Sequence, residues 1–400
     1  MNKKKEIVPK FRFPEFQRDG IDFVHGNKLF KSITNKNHNP DLPILAITQD
    51  QGAVPRDQIE YNVTVTDKSL SNYKVVEVGD FIISLRSFQG GIEYSRFKGI
   101  CSPAYIILRK REENISELYY KYFFKTWRYI QSLNRNLEGI RDGKMISYSQ
   151  FSSVKVPYPR SFKEQQKIAD CLSSIDELID AENRKLKALE KYKKGLMQKL
   201  FPAEGKTLPE WRFPEFRGKS EWRIKPLGKI CTNYDSRRIP ITEKDRVKGE
   251  IPYIGASGVI DYINDFIFDE DLLCVSEDGA NLVARTYPIA FSISGKTWVN
   301  NHAHVLKFSH KYTQDIVESY LNMINLQDFL TGMAQPKLNR AKLDIIPIPL
   351  PEEEEQQKIA NCLYEVDKII TEQSNKVEQL KAHKKGLMQG LFPSLEEADV

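Results

Sequence analysis

The sequence has few cysteines and no long apolar run. Its five cysteines are an odd, scattered set without a CxxC pair, which excludes a disulfide framework or a zinc ribbon. No stretch approaches the roughly 18 apolar residues that span a bilayer, and the basic start is not followed by an apolar segment. We therefore expect a cytoplasmic chain that holds no metal and contacts no membrane.

Motifs of DNA-modifying enzymes are also missing. There is no Gly-rich methyl-donor turn with an Asn/Asp-Pro-Pro-aromatic motif, since SPAY at 102–105 differs too much, and no G-x-x-x-x-G-K-[ST] phosphate loop. A nuclease motif placed on Pro40 and Asp41 has no matching ExK. The chain is predicted to be non-catalytic and to hold no cofactor of its own.

Size and charge leave room for a binding protein. The chain has 400 residues, 40% of them hydrophobic, enough for two or three domains with their own cores. Lys and Arg number 60 against 54 Asp and Glu, a net charge of +6. This mild excess permits nucleic acid as a partner without requiring it.

An internal repeat organises the chain. EQQKIADCL at 164–172 returns as EQQKIANCL at 355–363, an offset of 191, and 21 of the 39 positions from 164–202 match 355–393. RFPEF likewise occurs at 12–16 and 212–216. The repeated parts frame two variable regions, 17–160 and 217–350, which end alike in SSVKVPYP and KLDIIPIP. A constant frame with different contents is typical of a recognition protein that presents two surfaces.

The variable regions combine strand and helix patterns. KVVEVGDFIISL at 74–85 and AHVLKF at 303–308 are β-rich, whereas ELYYKYFFKTWRYIQSL at 117–133 is helical. We expect two α/β (α+β) recognition domains joined by two long antiparallel coiled-coil helices, related by a pseudo-two-fold internal repeat. The predicted bounds are 1–160 and 203–350 for the domains and 161–202 and 351–400 for the helices.

The two helices carry a heptad seam of mostly apolar residues at alternating steps of four and three. The seam positions are Ile168, Leu172, Ile175, Ile179, Glu182, Leu186, Leu189, Lys193, Leu196 and Leu200, and then Ile359, Leu363, Val366, Ile370, Gln373, Val377, Leu380, Lys384, Leu387 and Leu391. In an antiparallel pair the midpoints Glu182 and Gln373 would face each other and fix the register. About 35 residues at about 1.5 Å give a rod of roughly 50 Å, longer than one DNA turn. A purely structural or dimerising coil remains an alternative.

Side chains suited to base edges and phosphates occur in the predicted loops. The DNA-binding candidates are Asn35, Lys36, Asn37, Arg86, Ser87, Gln89, Arg141 and Lys144 in the first domain, and Arg237, Arg238, Ser257, Asn281, Lys296, Asn300 and Lys337 in the second. Any single member could equally be an exposed polar residue without a DNA contact, so the clusters carry more weight than their members.

Two other groups could be taken for functional sites. His302 and His304 suggest a metal site, but no acidic residue or third His lies at a fitting spacing, so a structural role is favoured. The acidic run at 352–355 precedes the second helix and is interpreted as a complement to the helix N-terminus.

With these motifs, the chain resembles the specificity subunits of Type I restriction-modification systems over essentially its full length. EQQKIA and KKGLMQ-x-LFP, each present twice, are highly specific for that family. The resemblance implies that regions 17–160 and 217–350 are target recognition domains, each reading half of an asymmetric DNA site, with the helices setting the gap. It places segments 79–91 and 271–280 close to DNA; the second lacks the Arg of the first.

The resemblance also implies partners. Two methyltransferase subunits would dock about the helices and one domain each, forming an adenine-N6 methylase that uses S-adenosylmethionine. Two restriction subunits, using ATP and Mg, would add DNA cleavage. Double-stranded DNA is the common ligand, and its bases do not follow from the sequence.

Two other classes of function remain open. A stand-alone nuclease or methylase would show activity from this chain alone. A coiled-coil scaffold that does not bind DNA would show no loss of affinity with rising salt, which phosphate neutralisation requires.

Overall fold

The computed structural model describes residues 8–38, 41–59, 70–135, 146–332 and 335–393. The chain divides into two units, one formed by residues 1–183 with 376–400 and the other by residues 184–375. Each unit thus contains one variable region and parts of both long helices.

In the first unit, short strands alternate with short helices. They are β1 (Ile21–His25), α1 (Gly26–Leu29), β2 (Phe30–Ile33), β3 (Leu45–Thr48), β4 (Gly52–Pro55), β5 (Lys74–Val76), β6 (Phe81–Ile83), α2 (Ser87–Gly90), β7 (Glu93–Tyr94), β8 (Gly99–Cys101), β9 (Ile106–Lys110), α3 (Glu117–Phe123), α4 (Trp127–Arg135), α5 (Tyr148–Ser153) and β10 (Lys155–Pro159). The main sheet has the order β2-β9-β6-β7 and is antiparallel throughout. The predicted strand run at 74–85 becomes β5 and β6, separated by a turn in which Gly79 has a φ of 93°.

The second unit repeats this construction with longer strands. Its elements are β11 (Arg223–Pro226), β12 (Thr232–Asn233), β13 (Lys248–Gly255), β14 (Gly258–Ile263), β15 (Phe268–Asp269), β16 (Leu272–Ser276), α7 (Asn281–Ala284), β17 (Ala290–Ile293), β18 (Lys296–Val299), β19 (Ala303–Lys307), α8 (Lys311–Met323), α9 (Arg340–Asp344) and β20 (Pro347–Leu350). Two four-stranded sheets form, β12-β19-β16-β17 and β14-β13-β18-β15.

Each variable region begins and ends on one strand pair. β1 pairs antiparallel with β10, and β11 pairs antiparallel with β20. The two similar exit sequences are therefore the strands that close each domain next to the following long helix. This pairing lets the loops between differ without moving the points where the domain joins its helix.

The cores lie where each domain packs on its helix segments. In the first unit Phe30 and Phe81 meet edge to face at 5.4 Å, in one cluster with Leu172 and Phe392. In the second unit Leu273 and Leu306 belong to a cluster that includes Leu200 and Leu363. Since helix and domain share a core, neither can shift without opening apolar surface.

The long helices are α6 (Phe162–Leu200) and α10 (Glu353–Leu391), each of 39 residues. At about 1.5 Å per residue each is about 58 Å long. In the first unit Asp176 pairs with Lys384 and Glu182 with Lys376, so one partner number rises as the other falls and the segments run antiparallel. The seam residues Ile168, Leu172, Val377 and Leu391 are buried, as the heptad pattern predicts. Among the described residues, no helix has both the length and the apolar character needed to cross a membrane.

The RFPEF segments bind the starts of these helices, a contact that was not predicted from the sequence. Arg12 donates to both carboxylate oxygens of Glu164, at 2.7 and 2.9 Å, and Arg212 donates to both of Glu355, at 2.7 Å each. The acidic run therefore does more than complement the start of α10, because Glu355 is buried in an ion pair. The signal that could have predicted this contact is the repetition of both partners, Arg12 and Arg212 in RFPEF and Glu164 and Glu355 in EQQKIA.

Candidate nucleic-acid interface

In the second domain, three loops meet at one end of the β12-β19-β16-β17 sheet. The Glu277 amide donates to the His302 carbonyl at 2.9 Å, and the Leu338 amide donates to the Glu277 carbonyl at 2.8 Å. The Gly279 amide donates to Pro336 at 3.1 Å. Segments that are widely separated in sequence, 277–281, 300–302 and 336–338, thus form one surface.

A hairpin tip joins this surface. Ser276 donates its hydroxyl to the Ala256 carbonyl at 2.6 Å, and the Asn300 amide donates to Ile254 at 2.9 Å. Gly258 adopts a φ of 106°, which a residue with a side chain rarely reaches, so the tip between β13 and β14 is a tight turn. Ser257 is exposed at this tip.

We call the charged side chains beneath this surface its floor; they include Arg238 and Glu277. Arg238 donates to Glu277 at 2.7 Å and to the Ala303 carbonyl at 2.8 Å, while Lys337 lies 3.2 Å from the other oxygen of Glu277. Burial raises the pKa of Glu277, but Arg238, His304 and Lys337 together outweigh it and the pKa lies below its ordinary value. The carboxylate is therefore ionised and holds two cationic side chains.

His304 completes the floor together with Asp235. Its Nδ1 lies 2.6 Å from Asp235 and 3.9 Å from Glu277, and all three could contribute to a metal site. Arg238 already forms an ion pair with Glu277, so cationic side chains of this chain already balance the carboxylates of the cluster. Burial raises the pKa of Asp235, but bonds from His304 and Val305 and the charge of Arg238 lower it overall. The acidic partners of His304, Asp235 and Glu277, lie 69 and 27 residues earlier in the chain, so local sequence spacing did not reveal them.

The predicted residues of the second domain fall into four groups. Ser257 and Lys337 are exposed on the loop surface. Asn281 and Asn300 are buried and bonded to neighbouring backbone, as with Asn300 accepting from the His302 amide at 2.8 Å, which suits a loop-shaping role rather than a base contact. Arg238 is 12% exposed and belongs to the floor, where it contacts Glu277.

Arg237 and Lys296 lie away from that surface. Arg237 donates to Glu270, before β16 begins, whereas Arg238 donates to Glu277, after β16 ends. The Arg237 guanidinium lies 4.6 Å from the Tyr234 ring centroid and 4.7 Å from that of Phe268. Lys296 begins β18, at the opposite end of the strand from Asn300. The neighbouring residues Arg237 and Arg238 thus contact residues at opposite ends of strand β16.

The first domain builds a comparable surface around Lys125. Its ammonium donates to the Gln49 carbonyl at 3.0 Å, to the Gly90 carbonyl at 2.9 Å and to Glu93 at 2.5 Å. It therefore ties the tip between β3 and β4 to the loop at 86–91. Neither Lys125 nor Glu93 was predicted, because a Lys in a helical pattern gives no signal of such a role.

Glu93 is an unusual partner for that lysine. It is 2% exposed, and its Oε2 atom has no hydrogen-bond partner among the described residues. Burial raises the pKa of Glu93 to about 7, against the opposing charge of Lys125. The loop connection in the first domain thus contains a group that titrates near neutrality.

Most predicted residues of the first domain are exposed at one end of its main sheet. β2 ends opposite Ile107 and β6 ends opposite Ile106, so residues 35–37 and 86–89 follow strands that end together. Asn35, Lys36, Asn37, Arg86 and Gln89 are exposed there. Ser87 is buried and accepts the Ser84 amide at 2.9 Å, so it shapes the loop. Arg141 and Lys144 lie outside the described residues.

Comparison with known proteins identifies the family of the chain. The profile of the family described as Type I restriction modification DNA specificity domain matches residues 19–191 and 219–381, so the chain belongs to this family and carries its domain twice. The predicted family and fold class are thereby confirmed. Specificity subunits are the DNA-recognising, non-catalytic components of these systems, as the missing enzyme motifs led us to expect.

Individual proteins similar to this chain are also described as type I specificity subunits. A putative type I restriction enzyme specificity subunit of Haemophilus influenzae is 35% identical over 144 residues, 36% of this chain and 37% of that protein. The putative MjaX specificity subunit of Methanocaldococcus jannaschii is 26% identical over 408 residues, 96% of this chain and 94% of that protein. The chain thus spans little more than a third of the first relative and nearly all of the second.

Solved structures show the same fold. The crystal structure of a Type-I restriction-modification system S subunit from M. genitalium superposes with a TM-score of 0.59 at 15% identity, covering 97% of this chain and 99% of that one. A chain from a study of complex assembly and conformational transition of the type I R-M system gives 0.57 at 15% identity, covering 94% and 98%.

Proposed function

We propose that each recognition domain reads one half of a bipartite, asymmetric DNA site and that α6 and α10 set the number of unspecified base pairs between the halves. The domains would comprise residues 1–160 and 203–350, and the helical parts residues 161–202 and 351–400. The observation that carries this proposal is the pair of loop surfaces, each at one end of a sheet and each supported by a buried cation-carboxylate contact, Lys125 with Glu93 and Arg238 with Glu277.

The exposed members of the two loop surfaces are the proposed DNA contacts. Arg86 and Gln89 in the first domain have side chains that can bond two atoms of one base, and Lys337 in the second can neutralise a phosphate. Asn35, Lys36, Asn37 and Ser257, which are exposed, complete the proposed set. The buried Ser87, Asn281 and Asn300 would act through the shape of the loop.

The methyltransferase subunits would dock beside the repeated KKGLMQ motif. In the first unit a cavity of about 540 Å³ is lined by Lys385, Met388 and Gln389 together with Trp127, whose side chain is 69% exposed. In the second unit a cavity of about 930 Å³ is lined by the matching residues, 191 positions earlier: Lys194, Met197 and Gln198. An exposed Trp beside cations is typical of an interface anchor.

The complex would act in the cytoplasm with two methyltransferase subunits, which bring S-adenosylmethionine for adenine-N6 methylation. Two restriction subunits, with ATP and Mg, would add cleavage. Each repeat offers one such cavity, which supports a ratio of two methyltransferase subunits to one copy of this chain.

The deciding experiment is methylome sequencing. A host without adenine methylation of its own would express this chain with its cognate methyltransferase subunit. We expect a bipartite methylated motif that disappears when this chain is omitted, and whose first half alone changes when Arg86 and Gln89 are replaced by Ala. Salt titration of DNA binding separates the alternative of a scaffold that does not bind DNA: affinity that is independent of salt would support the scaffold.

A further inference from the structure

His304 lies beneath the loop surface of the second domain and is 1% exposed. Its Nδ1 lies 2.6 Å from Asp235 Oδ2, and its Nε2 lies 2.7 Å from the carbonyl oxygen of Leu338. Both distances are those of strong hydrogen bonds, and they are too short for a ring carbon facing either oxygen. The ring orientation is therefore fixed by its two partners.

Both partners accept hydrogen bonds. A carbonyl oxygen has no proton to give. Asp235 is ionised, because its Oδ1 accepts the Val305 amide at 2.9 Å, its Oδ2 also accepts from Asn233 at 3.1 Å, and its pKa lies below the ordinary value. Each nitrogen of His304 must then donate, so the ring carries two protons and a positive charge.

The charges around the ring balance this cation. Asp235 and Arg238 face it from the segment after β12, and Glu277 faces it from the end of β16. Lys337 reaches Glu277 from the third loop, at 3.2 Å. With the imidazolium, these five side chains comprise three cations and two carboxylates. Asp278, on the same loop as Glu277, lies 2.9 Å from His302 instead.

The ring also connects the three loops mechanically. Leu338 accepts from His304 through its carbonyl and donates through its amide to Glu277, so residue 338 is held from both sides. Lys337 precedes it and is exposed. Loss of the Nε2 proton would leave the buried Leu338 carbonyl without its donor and free one side of the loop that carries Lys337.

We infer that His304, as a buried imidazolium, is a positioning residue of the second recognition domain: it holds the 336–338 loop against Glu277 and thereby fixes the surface that reads the second half-site. This rests on the proposed function of that surface. The first domain uses the Lys125 contacts instead, so it is independent of His304.

The protonation state is tested on the full chain labelled with ¹⁵N in its histidine rings. The signals that disappear in His304→Gln identify His304. We expect both ring nitrogens of His304 to carry protons in the buffer used for DNA binding. One bare nitrogen would overturn the inference. If His304→Gln does not fold, single Gln variants of the other five histidines identify the His304 signals by elimination.

Positioning is tested with the methylase complex on three duplexes: the intact site, a site altered in the first half and a site altered in the second. We expect His304→Gln to lower discrimination against the altered second half at least tenfold and to leave that against the first half unchanged. Lys125→Met should show the reverse pattern. His310→Gln, on an exposed ring outside the loops, is the matched control and should match wild type.

The outcomes separate the two proposals. If the wild-type complex fails to discriminate either altered site, the proposed reading function fails whatever the state of His304. If the wild type discriminates both and folded His304→Gln does so equally, or loses both together, His304 is not the positioning residue we infer.

Discussion

Lys193 of α6 donates to Asp367 of α10 at 2.5 Å. The matching residues of the other repeat, Lys384 and Asp176, also form an ion pair. Both lysines occupy seam positions, and all other seam positions except Glu182 and Gln373 are apolar, so each unit places a charged contact at its helix seam. A polar seam position restricts register because a slipped arrangement buries a charge without its partner.

The midpoints of the seam, Glu182 and Gln373, remain the predicted register pair. Gln373 is 5% exposed, and Glu182 accepts from Lys376 at 2.6 Å. Replacing both Glu182 and Gln373 with Leu should raise the melting temperature, since apolar seam residues pack better, and should relax the preference for half-site spacing while each half is still read. Methylome sequencing measures both halves and the gap. The exposed pair Lys187→Ala with Glu365→Ala is the control, and an unchanged gap in the Leu variant would count against the register role.

The frame of this molecule could be predicted from sequence because it is periodic or repeated. The seam, the two domains and the similar ends of the variable regions all follow from patterns of local spacing and from the 191-residue offset. The loop surfaces follow only in part. Arg237 and Arg238 are neighbours with the same chemistry, and only the direction of each side chain relative to β16 decides that one supports the loops and the other does not.

The supporting contacts could not be predicted for a different reason. Lys125 reaches two backbone carbonyls, and backbone carbonyls leave no trace in a sequence. His304 depends on Asp235, 69 residues earlier, and on the Leu338 carbonyl, 34 residues later. Such contacts depend on how the loops fold, which the side-chain pattern does not encode.

The contact between RFPEF and the helix start predicts unequal effects of similar substitutions. Arg12 and Glu164 are 6% and 0% exposed, so Arg12→Met leaves a buried carboxylate unpaired, at a cost of about 3–5 kcal/mol. Arg212→Met should have a similar cost in the second unit. Lys98→Met, which removes a pair exposed by 54% and 37%, should cost less than about 1 kcal/mol. Urea unfolding measures all three; equal costs for Arg12→Met and Lys98→Met would mean that the buried pair adds nothing.

The pKa of Glu93 predicts a pH dependence of stability with a definite sign. The pKa is about 7 in the folded chain and 4.5 in its ordinary range, so between these values the folded state keeps a proton that the unfolded chain has released. Wild-type stability therefore falls as pH rises through this window, by about 3 kcal/mol at about 1.4 kcal/mol per pKa unit.

Glu93→Gln removes this titration. From pH 5 to pH 8 the variant should gain about 3 kcal/mol relative to wild type, measured as the difference between the two free energies of unfolding in urea. Glu77→Gln, at a carboxyl that is 37% exposed, is the control. A constant difference between Glu93→Gln and wild type across this range would show that Glu93 titrates normally.

The one mismatch in the KKGLMQ-x-LFP repeats, Gly390 against Lys199, predicts a steric effect. The Phe11 amide donates to Gly390 at 2.8 Å, as the Trp211 amide does to Lys199 at 2.9 Å. However, a Cβ at Gly390 would lie 2.1 Å from the Phe11 ring. Gly390→Ala should therefore destabilise the first unit by about 1–3 kcal/mol, since the ring has to move or the backbone contact has to open.

A double-mutant cycle tests this cause. Phe11→Ala removes the ring, so adding Gly390→Ala to it should cost little, or even stabilise the chain by favouring helix. Gly386 is four residues earlier on the same helix, and a Cβ there would have no neighbouring atom of the described residues within 4 Å, so Gly386→Ala should stabilise by about 0.5–1 kcal/mol. If Gly390→Ala cost the same with and without the Phe11 ring, the mismatch would have to be explained by something other than this contact.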